Sequence, residues 1–312
     1  TLSDLKKEFI EAEAYGMLEF IETDNSLDLI AGHNEAKDHL RQAAHAVQTG
    51  QHDVLPMGYL VSGPVGCGKT FLINCFAGEI GIPMVKLKNF RSQWQGVTEG
   101  NLEKILNLLE AMTPVAVMID EADAALGDRD AQGDSGVSQR VFSQIVSFMS
   151  DPAHRGRVIF FLVTARPDLM PVDLKRQGRA EEHLSLFYPH SREDREELLT
   201  VMMDRTGVDL PMDAVPPELL GGERTYSGAD MEAILTRAAF RAAGSNGGTV
   251  TPEILQDTVN DFIPPTYPTE VELQQLAAVL ECTSRDLLPP RFRQMDRAEV
   301  VERLGQLKRM VD

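Results

Sequence analysis

The sequence predicts an α/β fold, an αβα sandwich with a parallel sheet, followed by an all-helical region and a helical C-terminal extension. Three observations predict it. An apolar strand-like run (Met57, Tyr59, Leu60, Val61) leads through a glycine-rich turn into a helical pattern of Phe71, Leu72, Cys75, Phe76 and Ile80. Two continuous apolar runs, Val115–Ile119 and Val158–Val163, read as strands buried on both faces and alternate with helix-patterned segments. Beyond Tyr188 only helical patterns remain.

Taken in order, Leu2, Leu5, Phe9 and Ile10 fall near helical spacing, and Leu18-Glu19-Phe20-Ile21 follows as an arm. Asp28-Leu29-Ile30-Ala31-Gly32 leads into a helix from Asn34 to about Val47. His33, His39 and His45 are six apart, on no common ligand face, and read as ordinary surface or helix histidines. Gly63-Pro64-Val65-Gly66-Cys67-Gly68-Lys69-Thr70 then reads G-x-x-x-x-G-K-[ST], the phosphate-cradling P-loop. Its glycines let successive N–H groups turn toward an anion. Lys69 supplies positive charge to terminal phosphates, and Thr70 offers a hydroxyl to Mg²⁺. Residues 83–87 form a short strand, and the loop Phe90–Gly96 holds Trp94, the only tryptophan. Its ring either tucks into the core or stands in solvent to grip a partner; the residues alone leave both open. Thr98 caps a helix striped by Leu102, Ile105, Leu106 and Leu109.

The buried run ending at Ile119 delivers Asp120 and Glu121 to a strand's carboxyl end. Asp120 suits a water-mediated Mg²⁺ contact, and Glu121 suits polarising the water that attacks a γ-phosphate. Two adjacent carboxylates favour hydrolysis over transfer. Residues 127–137 read as a polar loop, followed by a helix with Val141, Ile145, Val146, Phe148 and Met149. The next strand ends in Thr164-Ala165-Arg166-Pro167, and a doubly wound layer of this kind carries its site at the strands' carboxyl ends. Ser191 and Asp194 form an N-cap, Tyr226–Asp230 caps a helix closed by Gly244, and Thr251-Pro252 starts another that runs to about Phe262. Pro264, Pro265 and Pro268 break the chain before two helices in 269–312, where no chemistry is visible.

Net charge is -18 and the pI about 4.8, so no global field draws the chain to nucleic acid or an anionic membrane. Cys67, Cys75 and Cys282 show no C-x-x-C spacing, which suits a reducing compartment and argues against disulfides and zinc. No apolar run reaches membrane-spanning length and no signal peptide is visible; the expected location is cytoplasm or plastid stroma. Starting at Thr1 rather than Met, the sequence is expected to be a piece of something longer.

The order P-loop, Asp120-Glu121, Thr164-Ala165-Arg166-Pro167-Asp168, then Arg176-Gln177-Gly178-Arg179 resembles the AAA ATPases, the ring-forming branch of the P-loop NTPases, over residues 27–264. The arm before Leu29–Gly32 is similar to that of a stand-alone AAA group of cyanobacteria and plastids. The resemblance implies four segments: an N-terminal helix and arm (1–26), a nucleotide-binding αβα domain (27–188), a helical lid (189–264) and a helical extension (265–312). It implies ATP and Mg²⁺, with Gly63, Pro64, Val65, Gly66, Cys67, Gly68, Lys69, Thr70 and Phe71 at the nucleotide. Asp28, Ile30, Gly32 and Val201 would line the adenine, with Gly228 and Ala229 of the lid against the nucleotide. Thr70 and Asp120 match the metal positions.

Lys69, Glu121, Thr164, Arg176 and Arg179 match catalytic positions, the two arginines as fingers reaching a neighbouring subunit's nucleotide. Trp94 falls where the family places the aromatic of its central-pore loop. Two positions depart from the pattern: Ala165 replaces a polar Asn that orients water, leaving Thr164 to substitute or hydrolysis slow, and Ala180 replaces a Phe after the second finger. Gly228-Ala229-Asp230 carries no arginine, consistent with the AAA branch. The implied function is ATP hydrolysis in a homo-oligomeric ring, a hexamer, that remodels a protein substrate. The rivals are an ATP-dependent assembly switch and a nucleic-acid motor, which the acidic balance disfavours.

Overall fold

The computed structural model describes residues 2–88, 99–126, 137–221, 226–245, 248–264 and 267–311. Helix α1 (Leu2–Glu13) and strand β1 (Leu18–Phe20) precede α2 (Asn34–Gln48). Then come β2 (Gly58–Ser62), α3 (Lys69–Glu79), β3 (Met84–Leu87), α4 (Glu99–Ala111) and β4 (Val115–Ile119). The αβα part closes with α5 (Ala122–Leu126), α6 (Val137–Met149), β5 (Val158–Thr164) and β6 (Glu182–Ser185). The helical region after the sheet holds α7 (Arg192–Thr206), α8 (Gly228–Ser245) and α9 (Pro252–Asp261), and the C-terminal extension α10 (Pro268–Glu281) and α11 (Arg297–Val311).

Among the described residues six strands form one sheet in the order β1-β3-β4-β5-β2-β6. β2 to β6 pair in parallel, with Val61 opposite Val163 and Val117 opposite Phe160. The arm departs from an all-parallel sheet: Leu18–Phe20 runs antiparallel on β3, with Leu18 opposite Leu87. Three residues with two buried apolar side chains nearby suffice to cover an otherwise open sheet edge.

The continuous apolar runs are explained by β5. Ile159, Phe161 and Val163 enter the core under α2 and α3, while Phe160 and Leu162 enter the core under α4 and α6. Alternating side chains serve opposite faces, and both faces are covered. Tyr59 stacks on Phe161 with ring centroids 4.8 Å apart. A third core lies among α7, α8 and α9 (Leu199, Ile234, Leu235, Leu255) and a fourth joins Phe187 to the extension (Leu273, Leu276, Phe292, Leu304). Ser191 and Asp194 form a reciprocal capping box on α7, and Thr251 accepts from the Ile254 amide at the start of α9. No helix among the described residues is long and apolar enough to cross a membrane.

Candidate functional site

The sheet's order places the carboxyl ends of β2, β4 and β5 side by side, and the loops leaving them build the site. Gly63 leaves β2 at φ +149, where an added Cβ would stand 2.2 Å from the Leu186 carbonyl oxygen, so only glycine fits there. Gly66 and Gly68 follow at φ +78 and +90, and α3 begins at Lys69. This aims the first-turn N–H groups of α3 into a cavity of about 640 Å³. Gly66, Cys67, Gly68, Lys69, Thr70 and Phe71 form one wall. Burial raises the Cys67 thiol above its ordinary pKa, leaving it a small apolar filler of the loop.

Lys69 Nζ donates to the carbonyls of Gly63 and Pro64 at 2.8 and 2.9 Å. Thr70 Oγ1 lies 3.3 Å from both carboxylate oxygens of Asp120, and Lys86 Nζ on β3 lies 2.9 Å from Asp120 Oδ2. Glu121 is exposed and holds φ +50, an uncommon conformation for a non-glycine residue, at the end of a fully buried strand. A helix N-terminus with an adjacent ammonium fits a phosphate chain, and the oxygen donors of Thr70 and Asp120 fit Mg²⁺. A nucleotide is thus accommodated by the residues present.

Residues of α7 and the start of α8 line the cavity's other side. An added Cβ on Gly66 would stand 3.0 Å from Ser227 Oγ, and one on Gly228 would stand 3.4 Å from the Gly66 carbonyl, so α8 begins against the P-loop. The Arg205 guanidinium sits 4.7 Å over the Phe71 ring, tying α7 to α3. Ile30, Gly32, Val201, Gly228 and Ala229 line the cavity. Asp28 does not: its carboxylate is turned to solvent and pairs with Arg41 at 2.5 Å. Gly63, Pro64 and Val65 do not line the cavity either.

Thr164 Oγ1 donates to Asp123 at 2.6 Å and accepts from the Arg166 amide at 2.9 Å, so its hydroxyl proton is committed within the chain. Arg179 is held by Ser150 Oγ at 2.6 Å and by the Asp173 carbonyl, and its side chain is 13% exposed. The Arg176 side chain is 60% exposed, with Asp173 Oδ1 3.5 Å away. Trp94 and Thr98 lie outside the described residues, as does the polar loop over 127–136.

Several pocket residues had no motif to mark them. Arg205 lies one helical turn beyond Val201, a spacing that would have put both on one face. Asp286, Leu287, Leu288, Pro289 and Pro290 of the extension also line the cavity, so a segment without visible chemistry forms part of the wall. His33 corrects its reading as an ordinary histidine. It lines the cavity at φ 51, and burial, then the Lys37 charge, lower its pKa from 6.5 to about 4. His190 acts in the same sense and Asp194 against it. As pH falls, the unfolded chain therefore takes up the proton first, and stability falls between pH 6.5 and about 4. His33→Asn, which tolerates positive φ, is expected to flatten the fall of Tm across that window. His39, also lowered by burial, leaves a residual slope; an unchanged slope in the variant would exclude His33 as a source.

Comparison with known proteins agrees with this geometry. A model of the ATPase family associated with various cellular activities (AAA) matches residues 59–188. The chain is 31% identical over 189 residues to a cell division cycle protein 48 homolog from Archaeoglobus fulgidus, covering 60% of this chain and 25% of that protein. It is 30% identical over 226 residues to an ATP-dependent zinc metalloprotease FtsH from Pelobacter propionicus, covering 71% and 36%. It is 27% identical over 247 residues to an uncharacterized AAA domain-containing protein ycf46 from Trieres chinensis, covering 77% and 48%. The chain thus spans a quarter to about half the length of these relatives. Residues 59–188 belong to the AAA family, and the chain carries an ATPase domain of that family.

Proposed function

We propose that this chain hydrolyses ATP within a homo-oligomeric ring, a hexamer, and remodels a protein substrate through a central loop bearing Trp94. The reading divides the chain as a helix and arm (1–26), a nucleotide-binding domain (27–188), a lid (189–264) and an extension (265–312). The observation that carries it is the placing of Arg176. Its guanidinium is turned to solvent and stands outside the wall of its own chain's nucleotide cavity. Such an arginine serves no phosphate within one protomer, whereas at a subunit interface it reaches the neighbour's nucleotide.

In this reading the Gly66–Thr70 amides and Lys69 hold the phosphates. Mg²⁺, when bound between Thr70 and Asp120, would neutralise charge on the phosphate oxygens. Glu121 takes the proton of the attacking water, and Arg176 of the next protomer stabilises the developing negative charge. Lid movement is coupled to the loop through the Arg205–Phe71 and Ser227–Gly66 contacts.

A second reading, an assembly switch that threads nothing, is favoured by Ala165 and by the Thr164 hydroxyl being committed to Asp123, both of which slow turnover. Two measurements separate them. Light scattering with ATP is expected to give a hexamer; a monomer that hydrolyses at full rate overturns the ring. Trp94→Ala is expected to hydrolyse ATP within about twofold of the parent while losing the unfolding of a tagged substrate protein. Full unfolding by that variant favours the switch.

A further inference from the structure

The C-terminal extension reaches the P-loop directly. Gln274 on α10, only 5% exposed, accepts a hydrogen bond through Oε1 from the Val65 amide at 2.9 Å, although 209 residues separate the two. The carbonyl of the same residue accepts from Tyr188 Oη at 2.6 Å. Val65 is itself 53% exposed, so its own packing does little to hold its backbone. Both polar backbone groups of one loop residue are therefore gripped by side chains from outside the loop.

Peptide planarity turns these two contacts into a device. The Val65 N–H shares a plane with the Pro64 carbonyl, and that carbonyl is one of the two acceptors of Lys69 Nζ. The Val65 carbonyl shares the next plane with the Gly66 N–H, which opens the phosphate cradle. Gln274 thus sets the Pro64 carbonyl and with it the resting place of the Lys69 ammonium, while Tyr188 sets the direction of the Gly66 amide. We propose that Gln274 is a positioning residue for the P-loop, so that the docking of the extension sets the nucleotide affinity of the site.

The docking that seats Gln274 is specific. Ser185 Oγ donates to the Ala278 carbonyl at 2.9 Å, one turn along α10, and the His183 amide donates to Thr283 Oγ1 at 3.0 Å. These contacts cover β6, the edge strand next to β2, which feeds the P-loop. Lys175 pairs with Glu281 at 2.5 Å, and Lys308 on α11 pairs with Asp168 at 2.9 Å, in the loop that follows Thr164. Leu273 and Ala277 on either side of Gln274 are fully buried. The extension is thus seated against strand, loop and P-loop together.

The proposal rests on nucleotide binding at Gly63–Thr70. Its test is Gln274→Met, which keeps the side chain's length and removes the acceptor. One hydrogen bond lost is expected to raise the Kd for a fluorescent ADP analogue about three- to tenfold. Hydrogen exchange at the Val65–Lys69 amides is expected to quicken, with the sheet amides unchanged. The Tm of the unliganded protein is expected to fall by no more than one lost hydrogen bond accounts for, because methionine keeps the packing of α10. If Gln274→Met does not fold, Gln274→Asn, one methylene short of the Val65 amide, replaces it with the same expectations. An unchanged Kd overturns the proposal, as does exchange that quickens at the sheet amides as much as at the loop, the mark of general loosening. A parent chain that binds no nucleotide overturns this proposal and the proposed function alike, whereas parent binding with an indifferent variant overturns this proposal alone.

Discussion

Glu121→Gln is expected to bind ATP as the parent does and to turn it over about a hundredfold to ten-thousandfold more slowly. β4 is buried throughout, and the chain emerges from it with Asp120 turned back to Thr70 and Lys86 and Glu121 turned outward at φ +50. The two carboxylates are thus divided by geometry: one is held beside the loop's hydroxyl, and the other is presented to solvent, as the proposed base requires. An amide has nearly the same shape as the carboxylate but cannot accept the water's proton. Binding is therefore kept and chemistry lost. Phosphate release measured beside nucleotide binding checks both halves, and undiminished release would remove Glu121 from the role of base. In the proposed remodelling cycle, a Glu121→Gln chain that holds nucleotide without consuming it is also the form expected to retain a protein substrate, so its capture from a lysate would test for one.

Arg176→Ala is expected to lower turnover about a thousandfold or more without weakening nucleotide binding, and to be rescued in part by mixing. In the proposed ring rescue follows, because there the lost guanidinium belongs to one subunit and the nucleotide it serves to another. In mixtures with Lys69→Ala, which keeps Arg176 but cannot bind nucleotide productively, an intact loop can meet an intact Arg176. Random assembly at equal amounts would restore about one interface in four. Activity in such mixtures that never exceeds that of the two variants alone would exclude action in trans. Arg179 is expected to behave differently. Its guanidinium is spent on Ser150 and Asp173, so its removal is expected to disturb the loop that carries Arg176 and to complement less well.

Much of this was legible beforehand because the informative chemistry is contiguous. The glycines, Lys69 and Thr70 form one short run, and the peptide geometry they need is local. The Val115–Ile119 and Val158–Val163 runs read as buried strands because every second residue serves a different face and neither face is wet. Caps at Ser191 and Thr251 were readable for the same reason, since partner and cap lie within one turn. Asp28 shows the limit of carrying a role across by position. It lies beside Ile30 in sequence, yet the turn at Leu27–Leu29 aims it at Arg41, away from the cavity that Ile30 lines.

By itself, then, the sequence determined the layer architecture, the phosphate loop and the paired acids, all properties of neighbours along the chain. Only the tertiary structure decided which arginine stands outward, that Thr164 is tied to Asp123, that His33 faces the pocket, and that Gln274 holds Val65 from 209 residues away. Contacts of that separation leave no periodicity and no spacing to read. They exist only once burial of the apolar faces has brought distant segments together, and it is there that the extension becomes part of the nucleotide site.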